Sequence, residues 1–181
     1  MPRLAQAAGT DQRGETICAV SNGEIARQSG DDKRGPMRRK LRFENSYPVS
    51  ADRLFALVTD LDTLEAVSKP WVQLHHLPSG QVRAGQTIDV AMSLFGLFPG
   101  RPYRMSVILC DPVTRLMRSE ERGMGVQRLT HDLSVRSDGN GAVLVDQIEI
   151  EAGWRTPFIV VCAWFAYRWR HHVRLRLLKT A

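Results

Sequence analysis

The chain is poor in cysteine: Cys18, Cys110 and Cys162 are odd in number and far apart. This excludes a disulfide framework and any thiolate metal spacing, and suits reduced thiols in a cytoplasmic protein. Long hydrophobic runs are also missing. The longest, residues 158–167, holds ten residues, against the ~18–20 needed to cross a bilayer. The first thirty residues contain no apolar block, so a secretory signal is not expected, and Asp11, Glu15 and Glu24 break the basic character of a transit peptide. Histidine pairs occur at His75-His76 and His171-His172, but adjacent side chains diverge on both helices and strands, so neither pair forms a chelating face. No metal and no cofactor is expected. Acidic residues are absent from 154–181, where six Lys/Arg stand alone.

What is present is one domain's worth of chain. The length of 181 residues allows a sizeable core, and the 43% apolar content is slightly low, implying that part of the chain lies outside that core. The net charge of +6 sits at the ends: residues 1–40 carry eight Lys/Arg against five acids, whereas 41–153 carry 11 basic and 14 acidic residues. A pI near 9.7 therefore describes two termini, not a basic folded face, and a nucleic-acid partner is not expected. Residues 1–36 are rich in Gly, Ser, Gln, Asp and Arg and show no period, so they read as a disordered tail. Met37 opens the basic segment Met37-Arg38-Arg39-Lys40, and its composition is compatible with a translation start there. The folded domain is expected over 37–181.

Within it, 41–47 alternates Leu41, Phe43, Asn45 and Tyr47 against Arg42, Glu44 and Ser46, as a half-exposed strand does. Ser50 is placed to cap a short helix with Leu54, Phe55, Leu57 and Val58 on its apolar stripe. Asp60 is placed to cap a second helix that ends at Pro70. Six strands are predicted at 71–77, 86–94, 102–110, 115–122, 127–137 and 142–152, separated by turn residues such as Pro78-Ser79-Gly80 and the Asp138-Gly139-Asn140-Gly141 loop. Thr156 followed by Pro157 predicts the N-cap and first position of a long terminal helix. The fold class is α+β.

In the last hairpin, Leu129, His131, Leu133 and Val135 share one face, as do Leu144, Asp146, Ile148 and Ile150. A two-residue turn at Gly139-Asn140 sets 131 opposite 148 and 133 opposite 146, which makes His131 and Asp146 diagonal neighbours on an apolar face. A carboxylate among Leu and Ile needs a partner.

The order strand, two short helices, six-strand meander, long helix resembles the START/Bet v 1-like superfamily, also called SRPBCC. The segment Tyr47-Pro48-Val49-Ser50-Ala51-Asp52-Arg53-Leu54-Phe55 resembles its opening strand-to-helix turn. The hairpin of a His131-bearing strand and a strand containing Asp146 resembles its polyketide cyclase/dehydrase and ligand-binding branch, and Tyr167-Arg168-Trp169-Arg170 lies in the counterpart of its terminal helix. The resemblance covers about 41–178. It implies a helix-grip fold, a seven-stranded curved antiparallel sheet around the long helix. It also implies a hydrophobic pocket that in most members holds a lipid-like or polycyclic molecule, while several branches are enzymes.

On that basis the cavity-facing residues expected to bind ligand are Trp71, Met92, Tyr103, Met105, Leu129, Leu133, Ile148, Phe158, Cys162 and Phe165. Arg118 and Glu120 join them if the inward face of 115–122 is theirs; the alternative is a surface ladder. His131 with Asp146 has two readings: an acid–base pair of cyclase or dehydratase type, or a cavity-wall histidine beside a structural carboxylate satisfied by backbone or Arg. The apolar 95–100 loop, with Phe95, Leu97 and Phe98, is either a lid or a cover for the sheet edge. Arg170, Arg174, Arg176 and Lys179 answer the helix dipole, or form a foot on anionic membrane helped by Trp164 and Trp169. The leading expectation is binding of a small hydrophobic molecule without turnover. A cyclase/dehydratase comes second and a peripheral membrane or interaction module third; oligomeric state is unassigned.

Overall fold

The computed structural model describes residues 37–96 and 99–180. The expected tail at 1–36, and Leu97 and Phe98 of the apolar loop, lie outside them. The elements are β1 (Arg38–Tyr47), α1 (Ala51–Val58), α2 (Leu61–Ser68), β2 (Val72–His75), β3 (Thr87–Leu94), β4 (Arg101–Asp111), β5 (Leu116–Gly123), β6 (Val126–Asp138), β7 (Gly141–Glu151) and α3 (Thr156–Thr180). All strands form one antiparallel sheet in the order β1-β7-β6-β5-β4-β3-β2. This is the helix-grip arrangement: one curved sheet, closed on its concave side by α3.

Local chemistry sets the boundaries. Ser50 caps α1 by accepting from the Arg53 amide, and Asp60 caps α2 by accepting from the Thr63 amide at 2.8 Å. The β6–β7 hairpin turns on Gly139-Asn140, with Asp138 paired to Gly141. Gly139 takes φ 55°, the left-handed value that the first position of a mirror-image hairpin turn requires. That turn places His131 opposite Ile148 and Leu133 opposite Asp146. In β4 the register slips between Val107 and Leu109, a bulge that leaves Ile108 unpaired and exposed.

Thr156 departs from expectation. It already has helical dihedrals (φ −49°, ψ −46°) and follows a 3-10 turn over Gly153–Arg155. Its buried hydroxyl accepts from the Ala152 amide at 3.0 Å and donates toward the Gly153 and Met37 carbonyls. It therefore acts as a staple between the end of β7, the start of β1 and the root of α3, and not as an extended N-cap.

The core has three parts. Tyr47, Leu54, Phe55, Leu133, Leu144 and Leu178 pack where α1 and the end of α3 meet the sheet. Phe43, Ile148, Ile150, Val160 and Tyr167 pack beneath the middle of α3. Leu61, Leu74, Ile88, Val90, Tyr103 and Met105 form the third, on the β2–β4 side. The outer face of the sheet carries exposed ion pairs instead, such as Arg104–Asp89 and Arg136–Glu44, which contribute little each.

Ile150 is fully buried under α3. Ile150→Ala should destabilise the protein by about 2–5 kcal/mol, read as a lower urea midpoint with an unchanged slope.

Candidate functional site

Between the sheet and α3 lies a cavity of about 210 Å3, against roughly 30 Å3 per molecule of liquid water. Its walls are chiefly apolar. Leu61 and Leu64 come from α2, and Ile88 and Met92 from β3. Met105 and Val107 stand on β4, Leu129 and Leu133 on β6, and Ile159, Cys162, Ala163 and Ala166 on α3. Trp71 and Phe95 lie on its lining with ring centres 5.5 Å apart. Trp71 also stacks on the half-exposed Phe165 at 5.9 Å, forming an aromatic rim.

The polar groups of the lining are contiguous. Tyr103 donates to Glu121 Oε2 at 2.7 Å, and Ser119 donates to Glu121 Oε1 at 3.1 Å. Ser119 pairs across strands with His131, and Glu121 with Leu129. His131 Nε2 lies 2.8 Å from Asp146 Oδ1, while its Nδ1 is 3.5 Å from the Tyr167 hydroxyl. Arg170 sits 4.6 Å over the Tyr167 ring and donates to Ser68 Oγ at 3.1 Å. Arg174 donates to Asp146 Oδ2 at 3.3 Å.

Charge state follows from these contacts. Burial by itself pushes the Asp146 carboxyl up, but the Arg174 guanidinium and the His131 hydrogen bond outweigh it and hold the group below the usual carboxylate value. Asp146 is thus an ionised acceptor, and Nε2–H of His131 is the donor. When the imidazole is neutral its proton is on Nε2, leaving Nδ1 to accept from Tyr167. Burial drives the Tyr167 phenol strongly upward, and burial with the Glu121 charge does the same for Tyr103. Both tyrosines keep their protons at neutral pH and serve as donors. Deeper along α3, His171 Nδ1 bonds the Tyr47 hydroxyl at 3.0 Å. Burial and the neighbouring His172, Arg174 and Arg168 charges hold its imidazole pKa down.

Of the expected site residues, Trp71, Met92, Tyr103, Met105, Leu129, His131, Leu133 and Cys162 reach the cavity wall. Asp146 is buried behind His131, not on the wall. Arg118 and Glu120 do not line it. They lie on the outer face, paired with Asp132 and Arg128, because cross-strand pairing with inward His131 and Leu129 turns Ser119 and Glu121 inward. Ile148 is sealed in the core against Phe43, Val160 and Tyr167. Phe158 points out of the protein, and Phe165 stands on the rim. Arg170 and Arg174 are not surface cations: both lie on the cavity lining, and Arg174 is 4% exposed and ion-paired with Asp146. Arg176 and Lys179 are exposed. Ser119, Glu121, Tyr167, Arg170 and Arg174 are cavity groups that sequence reasoning does not reach. The first two follow from the hairpin register once it is extended by one strand. Among the described residues no group of three or more His, Cys, Asp or Glu is placed to hold a metal ion, and no helix is long and apolar enough to cross a membrane.

No family model and no curated protein matches the chain. Solved structures do match in fold. A structural-genomics protein from Rhodobacter sphaeroides is similar at a TM-score of 0.64 and 14% identity, over 78% of this chain and 93% of that one. Ara h 8.0201 is similar at 0.56 and 13%, over 76% and 98%. Norcoclaurine synthase from Thalictrum flavum is similar at 0.51 and 16%, over 79% and 95%. The chain shares the helix-grip fold of these proteins.

Removing the Asp146 charge leaves Arg174 buried without a counter-ion. Asp146→Asn should cost about 3–5 kcal/mol in urea unfolding at neutral pH. Because the folded carboxyl titrates below its ordinary value of 3.8, its contribution is fully present above that pH and is lost as the pH falls below it. The variant's stability should therefore fall less steeply than the parent's in that window.

Proposed function

We propose that the protein binds a small, mainly apolar molecule bearing one hydrogen-bonding group, and holds it in the cavity between the sheet and α3. The observation that carries this reading is the segregation of the lining. Leucine, isoleucine, valine and methionine cover most of the wall, while Glu121, Tyr103, Ser119, His131 and Tyr167 converge on one region of it. Apolar walls supply affinity and a few fixed polar groups supply orientation. Glu121 can accept from a ligand hydroxyl, and Tyr167, whose single O–H is held only at 3.5 Å by His131, can turn it to a ligand carbonyl or ether oxygen. Lipid-like and polycyclic molecules with a hydroxyl or carbonyl group fit this chemistry, and carriage or sequestration is the function it supports best.

A second reading is favoured by one specific contact. The Asp146–His131–Tyr167 series is a carboxylate orienting an imidazole beside a phenol, all within hydrogen-bond reach and with the last two on the cavity wall. That arrangement suits proton transfer to and from a bound carbonyl, as in a cyclase or dehydratase. The fold accommodates enzymes, as norcoclaurine synthase shows for itself.

Mass spectrometry of the native protein, followed by organic extraction, tests the first reading. One apolar molecule per chain is expected, or one-to-one uptake of Nile red by empty protein. Ala163→Phe, which fills the cavity from α3, should weaken uptake by about tenfold or more while the protein stays folded; unchanged uptake would place the ligand elsewhere. His131→Ala separates the two readings. A carrier should lose about tenfold in affinity or less, the worth of one hydrogen bond. Turnover of the extracted molecule, if it occurs, should drop by about 10²–10⁴.

A further inference from the structure

The outward line of α3 is divided along its length. Phe158, Val161, Phe165, Arg168, His172, Arg176 and Lys179 follow each other at helical spacing and all face solvent. The first half is apolar: Phe158 is 64% exposed, and Val161 and Phe165 are 46% exposed each. Trp154, 82% exposed in the turn just before α3, extends this apolar line. The second half is basic. Arg155 lies over the Trp154 ring at 5.2 Å, adding a cation at the apolar end. No acidic residue follows Glu151, so no charge on the helix itself opposes an anion. The apolar half runs to the cavity rim, since Phe165 stacks on Trp71, a lining residue.

We propose that this stripe is a docking surface for an anionic lipid bilayer, with Trp154, Phe158, Val161 and Phe165 entering the headgroup–acyl boundary and Arg168, Arg176 and Lys179 lying on the headgroup phosphates. Three large apolar side chains in a row on a solvent-facing helix, with a fourth in the turn before it, disfavour free solution, and aromatic rings are suited to the interfacial zone. Exposed cations on the same line match the negative surface of such a bilayer. A bilayer answers both halves at once, and it is also the reservoir of apolar molecules from which a cavity opening at Phe165 would load. The docking surface differs from a purely cationic foot at the end of the helix, because Arg170 and Arg174 are committed to the interior.

The proposal concerns how the cavity is reached and rests on the carrier reading only for its purpose, so the two are tested apart. The full chain is sedimented with vesicles of phosphatidylcholine alone and of phosphatidylcholine mixed with phosphatidylglycerol, following tryptophan emission. The expected result is binding to the mixed vesicles with a blue shift, and weak binding to the neutral ones. Trp154→Ser with Phe158→Ser should lower affinity for the mixed vesicles by about tenfold or more, and Arg168→Gln with Lys179→Gln should abolish the preference for them. Nile red uptake without vesicles should be unchanged in both double variants, which shows that they are folded and that the cavity is intact. Failure of the parent protein to bind mixed vesicles, or binding indifferent to both double variants, overturns the proposal. So does a dimer in light scattering that Trp154→Ser with Phe158→Ser dissolves without any vesicle binding, which would assign the stripe to a second copy of the chain. Loss of dye uptake in the parent protein, with vesicle binding intact, would count against the carrier reading alone.

Discussion

A single carboxylate ties the molecule together. Asp146 stands in β7, between β1 and β6, 1% exposed, and it accepts from His131 on β6 and from Arg174 on α3. Burying that charge is costly, and only the two donors make it tolerable. Measured against an apolar packing of the same volume, such a pair adds little stability; what it adds is uniqueness. A one-residue slip of β6 against β7 would turn His131 away and leave the charge stranded. A helix rotated by one residue would withdraw Arg174. Sheet register and helix rotation are thereby set by the same group, and the cavity between them inherits its shape.

This also explains why some of the site was legible in the amino-acid sequence and some was not. The β6 and β7 segments alternate cleanly, and the Gly139-Asn140 turn defines their pairing, so the meeting of His131 with Asp146 follows from period and turn alone. β5 offers no such signal: LMRSEERG is polar on both faces, and periodicity cannot choose between Arg118/Glu120 and Ser119/Glu121. The choice is made by the neighbouring strand, where His131 and Leu129 face inward and oblige their partners to do the same. Helix α3 was harder still. Its cations read as surface residues because charge usually is, yet Arg174 is drawn inside by a carboxylate from a distant strand and Arg170 by the Tyr167 ring and Ser68. Arg168 and Arg176, on the same helix, stay exposed.

The interior is correspondingly two-sided. Asp146 and Arg174 form a buried ion pair on one side, in which the carboxylate is held by two donors while Arg174 also borders the cavity and keeps a buried Nε without an acceptor. Where Glu121, Tyr103, Ser119 and Tyr167 meet the cavity, hydrogen-bonding capacity remains: a carboxylate has about four acceptor positions and only two donors occupy them here. His131 stands between the two regions, fixed by one and presented to the other. The functional interest therefore lies less in the buried ion pair than in the groups it orients.

Helix α3 serves three surroundings at once, which accounts for its weak amphipathic periodicity. One side is gripped by the sheet, a second lines the cavity, and the third is the exposed stripe. Its C-terminal half is pinned by Arg174 to Asp146, by His171 to Tyr47, by Trp169 to the Lys69 carbonyl at 2.7 Å and by Arg170 to Ser68. Its root is stapled by Thr156. Lifting the helix to admit a ligand would break all of these, including a buried ion pair. Parting the side-chain rings of Trp71, Phe95 and Phe165 breaks aromatic contacts, worth about 0.5–1.5 kcal/mol apiece, and can leave the Phe95–Trp71 backbone hydrogen bond in place. Two of those three rings are already half-exposed. The economical entrance is therefore at the rim, beside the apolar half of the stripe.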